Sequence, residues 1–159
     1  MQIRGYKVKK IIYVVLLALL TCLLTGCMKK NVITSERFKK VLEENSFIVT
    51  DDTESYEMQT TFKKVLNATK ENNIYQVDFY EFDTIETAMQ IYENLKMIIE
   101  GSSTSKSHST VEGINYDKYE QTSDINYGVV IRVDNILIYS LVRIEHKDEI
   151  KTILEEFNY

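Results

Sequence analysis

What this chain does without narrows its chemistry before any motif is read. It has no proline and no tryptophan, and only five glycines and two histidines in 159 residues. With so few glycines there is no glycine-rich phosphate cradle and no Gly-x-Ser-x-Gly elbow, the two local frames on which nucleotide loops and α/β-hydrolase nucleophiles are built. The lack of proline suits regular elements joined by Asn, Asp and Ser turns. His108 lies in a serine-rich run and His146 just ahead of the last apolar stripe. Neither has a second His or Cys at ligand spacing, so no zinc motif is written here, and no metal or cofactor is expected. Basic side chains are the scarcer charge, 19 Lys and Arg against 24 Asp and Glu. A nucleic acid partner needs a basic patch that replaces counterions, and this composition argues against one.

Long apolar runs are equally scarce. The one of note is Ile11 to Leu24, preceded by Arg4, Lys7, Lys9 and Lys10. Fourteen residues at helical rise span about 21 Å, short of the roughly 30 Å hydrocarbon layer that a membrane anchor has to cross. A basic start, a short apolar middle and small residues after it are the marks of an export signal. Residues 1–26 are therefore expected to be a signal peptide that is removed.

The stretch closes on Leu24, Thr25, Gly26 and Cys27, which resemble the lipobox of bacterial lipoproteins: a leucine, a small residue, Gly or Ala, then cysteine. The resemblance implies cleavage between Gly26 and Cys27 and a diacylglyceryl group on the Cys27 thiol. In whole-chain character, rich in Lys, Asn, Ile, Tyr and Glu, the sequence is also similar to small lipoproteins of low-GC Gram-positive bacteria. That likeness implies an address on the outer face of the cytoplasmic membrane. Two acyl chains at about 0.8 kcal/mol per methylene hold a protein with on the order of 20 kcal/mol, which makes such an anchor effectively permanent. With Cys22 in the leader and Cys27 acylated, no thiol is left for a disulfide, a redox pair or a thiolate metal site.

Removal of the leader leaves 133 residues with 15 basic and 24 acidic side chains, a formal charge of −9. Residues 27–33 read as a lipidated N-terminus with a short tether, and 34–159 as one domain. The tether from Met28 to Val32 reaches no more than about 17 Å, so whatever the domain touches lies close to the membrane. Lys29 and Lys30 are the basic residues placed to meet anionic headgroups.

Along the domain, Thr34 is a helix N-cap, with Ile33 and Phe38 spaced as a hydrophobic staple and Asn45 as the stop. Phe47 to Thr50 reads as a short strand. Tyr56 to Thr69 fits either period, with the strand favoured because a turn at Lys70 to Asn73 follows it. Ile74 to Phe82 alternates as a strand with Tyr75, Val77 and Phe79 on one face. Asp83 and Glu86 signal a cap, and apolar residues at helical spacing from Ile85 then predict the longest helix, ending at Gly101. Ser102 to Thr110 has no apolar residue to bury and is read as an exposed loop.

Ile114 to Thr122, Tyr127 to Val133 and Ile136 to Ile144 form a strand meander, with Asp134 and Asn135 as a two-residue hairpin turn. That turn sets Val133 against Ile136, Ile131 against Ile138, and Val129 against Ser140. Asp148 to Phe157 closes the chain as a helix. The expected fold is α+β: an antiparallel sheet of about five to six strands with helices mainly on one face, a two-layer sandwich.

If Val129, Ile131 and Val133 face the helices, then Tyr80, Phe82, Arg132, Leu137 and Tyr139 face the other way, where they form either an open surface or a second core covered by the first helix or the Tyr56 to Phe62 segment. Tyr, Arg and Leu on an open surface are the composition of an interface centre, so these five are the candidate partner surface. On that reading Arg132→Glu weakens capture of a partner without unfolding the domain. The leading expectation is a non-enzymatic, membrane-tethered module that binds an envelope protein. The alternative is a small ligand-binding protein or hydrolase with a pocket under Ser102 to Thr110, using His108 and nearby carboxylates. The oligomeric state is not legible in the sequence.

Overall fold

The computed structural model describes residues 29–56, 61–70, 75–104 and 106–159. The leader and the residues Leu24, Thr25, Gly26 and Cys27 lie outside these, as does most of the turn expected after Lys70. Within them are three α-helices, α1 Ser35–Glu44, α2 Ile85–Ser102 and α3 Lys147–Glu156. Seven strands accompany them: β1 Ile48–Asp51, β2 Phe62–Lys70, β3 Tyr75–Phe82, β4 Ser107–Glu112, β5 Tyr116–Thr122, β6 Asn126–Val133 and β7 Ile136–Arg143. All seven form one antiparallel sheet in the order β1-β2-β3-β7-β6-β5-β4. The α+β class holds, but the sheet has more strands than the five to six expected.

The local signals that held are those with a physical partner nearby. Thr34 accepts a hydrogen bond from the Arg37 N–H at 3.2 Å, and Ile33 and Phe38 are both buried, as a cap and a staple require. The hairpin register is Val133 to Ile136, Ile131 to Ile138 and Val129 to Ser140, with Asp134 at φ 52° taking the left-handed turn position. The favoured strand reading of Tyr56 to Thr69 is met by β2 from Phe62 onward, whereas Tyr56 ends a short 3-10 turn, Thr53–Tyr56, and residues 57–60 lie outside the described residues. The cap of α2 lies one residue later than expected: Thr84, not Asp83, accepts from the Thr87 N–H at 3.1 Å.

One correction concerns the layers and another a loop. Tyr75, Val77, Phe79, Val129, Ile131, Val133, Ile136 and Ile138 share one buried cluster with residues of α1 and α3, as expected for a helix-covered face. The opposite face is not open. Phe82, Tyr119, Val130 and Leu137 form a second cluster with Ala88, Tyr92 and Ile99 of α2. The protein is thus three-layered, α1 and α3 below the sheet and α2 above it, because amphipathicity says that a helix must be covered but not by which face. Gly128 records the close approach of α2. A Cβ there would stand 2.5 Å from Ile99 Cγ2 and 3.2 Å from Leu141 Cδ1. Gly128→Ala is expected to cost about 1 to 3 kcal/mol through this overpacking, read as a lower urea midpoint at unchanged slope.

The second correction is Ser102 to Thr110. Ser102 ends α2, and Ser107–Glu112 is a strand, β4, paired along its whole length to β5 from Ser107 opposite Thr122 to Glu112 opposite Asp117. Ser105 lies outside the described residues. Backbone pairing rather than burial makes this strand, since all six of its side chains are exposed.

The strand directions give the molecule two ends. Phe82, Val133, Ile136, Tyr116 and Glu112 lie at one end of the sheet, and Tyr75, Tyr127, Val142, Thr122 and Ser107 at the other. The N-terminal segment is fastened at the first end. The Lys30 N–H donates to Asn115 Oδ1 and the Asn115 side-chain amide donates to the Lys30 carbonyl, each at 3.0 Å. Lys30 Nζ reaches the Asn158 carbonyl at 2.7 Å, and the Tyr159 hydroxyl bridges the Ile33 N–H (3.1 Å) and the Asn31 carbonyl (2.7 Å).

Candidate interaction surface

Of the five residues expected on an open face, three are core. Phe82 and Leu137 are fully buried, and Arg132 is 4% exposed. The Arg132 guanidinium is held by Asp117 across the β5–β6 pair, with Nε at 2.7 Å and a second nitrogen at 2.6 Å from the same carboxylate oxygen, and it also donates to the Asp134 carbonyl at 3.2 Å. A side chain so occupied has nothing to offer a partner while α2 is seated. Tyr80 and Tyr139 are half-buried and pack against the cluster that α2 covers. They join Phe62 and Tyr56 in an aromatic band, Phe62 standing 5.9 Å from Tyr80, 4.9 Å from Phe82 and 5.2 Å from Tyr56, ring centre to ring centre.

Beneath this band sequence reasoning missed a carboxylate. Asp78, opposite Asn67 on β2 and Tyr139 on β7, is 4% exposed. It accepts from Asn67 Nδ2 at 2.7 Å and Gln76 Nε2 at 3.2 Å. Burial pushes its carboxyl up to about 6, against the opposing pull of hydrogen bonds from Gln76, Tyr80 and Asn67. In the sequence Asp78 is merely the polar member of an alternating strand. The signal available was that one neighbouring strand, β7, is apolar on both faces, which implies a second cover.

The pair of histidines does not meet. His108 stands 6.2 Å from Tyr119 on the α2 face, whereas His146 stacks on Tyr75 at 3.9 Å on the other. An open depression of about 200 Å³ does lie near the end of α2, lined by Ser103, Thr104, Ser123, Asp124 and Ile125, but His108 is not part of its wall. Another, of about 190 Å³, lies between α1 and the β1–β2 edge, where Lys64 beside Asp51 holds that carboxyl down at about 2. Among the described residues no group of three His, Cys, Asp or Glu is placed to hold a metal ion.

The surface that is both open and organised is the outer edge of β4, beyond which no further strand pairs among the described residues. Gly113 N–H donates to the Tyr116 carbonyl at 2.6 Å, so by the alternation of an antiparallel ladder Ser107, Ser109 and Val111 turn their backbone groups toward β5. His108, Thr110 and Glu112 turn theirs outward, where the sheet order ends. Natural edge strands are usually blunted by central charges, bulges or proline. Here the charges stand at the ends, Lys106 paired with Asp124 and Glu112 at the last position, and the middle of the edge is neutral. The opposite edge, β1, has four residues.

No family model, curated protein or solved structure matches this chain.

Proposed function

We propose that the chain is a lipid-anchored, extracytoplasmic module without enzymatic activity, which binds an envelope protein by adding an extended strand of that partner to β4. Its location rests on the Leu24-Thr25-Gly26-Cys27 motif behind an apolar run and four basic residues. The observation that carries the binding mode is the edge itself: six residues, open on both faces, unbroken by a central charge. Main-chain hydrogen bonds supply affinity in strand addition, and the alternate side chains supply specificity.

Proline gives a test with opposite arms. At Thr110 it removes an outward N–H and leaves the β5 ladder alone, so the fold tolerates it. A photo-crosslinking residue at Val111 of the full chain, activated in intact cells, is expected to trap a discrete membrane or wall protein. Thr110→Pro is expected to abolish that adduct while leaving the unfolding temperature unchanged. An adduct of the same yield in the proline variant overturns strand addition.

A further inference from the structure

The fastening of the N-terminal segment fixes more than the path of a few residues. Lys30 is clamped through both its backbone groups to the Asn115 side chain, and only Met28 and Lys29 separate it from Cys27 along the chain. Three peptide units reach at most about 11 Å from the Cα of Cys27 to that of Lys30. The strands of β6 and β7, eight residues each, are on the order of 27 Å long. The tether is therefore too short to let the domain stand on the far end of the sheet while the clamp holds.

We infer that the end of the domain bearing Asn115 rests on the lipid surface, with Ile114 entering the interfacial layer. This deepens the reading above and rests on acylation of Cys27. The hydrogen bond from Gly113 to Tyr116 closes a turn with Ile114 near its tip, 73% exposed and adjacent to the residue that grips the tether. An apolar side chain held beside an acyl anchor partitions into the headgroup and acyl boundary, where it loses water contact without crossing the membrane. Two cations stand beside the tether at this end, Lys29 at 3.8 Å from Asp134 and Lys30 with its Nζ on the Asn158 carbonyl. At the opposite end Ile125, 62% exposed, is a matched apolar residue that this geometry keeps in water.

The acylated protein lends itself to a direct reading, because it retains no free thiol once Cys22 has left with the leader and Cys27 is modified. Ile114→Cys and Ile125→Cys, each spin-labelled and reconstituted in vesicles of phosphatidylglycerol and phosphatidylethanolamine, report access to a water-soluble nickel chelate and to dissolved oxygen. The label at 114 is expected to collide with the chelate several-fold less often than the label at 125, and more often with oxygen. Adding Asn115→Ala together with Tyr159→Phe releases the backbone of residues 30, 31 and 33, lengthens the tether and is expected to narrow the difference between the two labels. Equal access at both positions in the otherwise unaltered protein that sediments with the vesicles overturns the orientation, as does protection at 114 that is undiminished in the combined variant. Mature protein that carries no diacylglyceryl mass and stays out of the vesicle pellet overturns the anchor instead, so the two failures are told apart.

Discussion

Arg132→Glu is expected to destabilise the domain by about 3 to 5 kcal/mol, the usual result of leaving a buried charge without its partner. Here the loss is compounded, because the new carboxylate would face Asp117 at the position where the guanidinium now bonds it at 2.6 and 2.7 Å. Set against the about 5 to 15 kcal/mol that folded domains have in hand, this is a large share. Urea unfolding of the purified variant measures it, with loss of α2 helicity at low denaturant as the accompanying sign. Arg132→Met combined with Asp117→Leu removes both charges and is expected to recover most of the stability. If Arg132→Glu unfolds at the same midpoint as the parent, the buried pair is not what holds β5, β6 and α2 together. On the open-face reading of the sequence the same substitution is a surface change, and the difference between the two expectations is the presence of one helix.

Asp78→Asn is expected to change how stability depends on pH. A carboxyl held at about 6 in the folded chain and near 3.8 when unfolded binds its proton more tightly in the native state. Stability contributed by this group is fully present below about pH 4 and is lost as the pH rises to 6, in total on the order of 3 kcal/mol at 1.36 kcal/mol per unit. Asparagine carries no charge to desolvate, and it keeps an acceptor for Asn67 if the Gln76 amide reverses to accept from it. The variant is thus expected to match the parent at pH 4 and to exceed it at pH 7.5. Because Asp51 is shifted the other way, the informative quantity is the difference between the two proteins at each pH. Parallel stability curves from pH 4 to 7.5 would show that Asp78 is not the group that titrates.

How much of this was legible in the sequence differs by the kind of force involved. Elements fixed by local rules were readable: the Thr34 cap, the Tyr75 to Phe82 alternation, and the Asp134-Asn135 turn with the register that follows from it. What was not readable depended on partners far away in sequence. The stripe of α2 was plain, but it fits either face of a sheet, and the face was decided by the route from the end of β3 over the sheet to β4. Two residues carried a hint. Gly128 in the interior of an otherwise β-branched strand marks a close approach by another element, and the unbroken apolar run Val129-Val130-Ile131 marks a strand covered twice. β4 left no pattern at all, because serine, histidine and threonine become a strand only by pairing with β5. The candidate surface moved accordingly, from side chains on a face to the backbone of an edge.

The position of β7 carries a last consequence. It is the final strand along the chain, yet it lies in the middle of the sheet, between β3 and β6. Its pairing with β3 joins residues such as Asp78 and Tyr139, so the two halves of the sheet close only through a contact of long sequence separation. Folding rates fall as such contacts come to dominate, and loop closure has to precede their reward. The meander from β4 to β7 is the natural nucleus, and β1 to β3 are left waiting with an unpaired flank until it arrives. Slow, late consolidation is thus written into the order of the strands, and a chain cut short before residue 136 would lack the strand through which the two halves of its sheet pair.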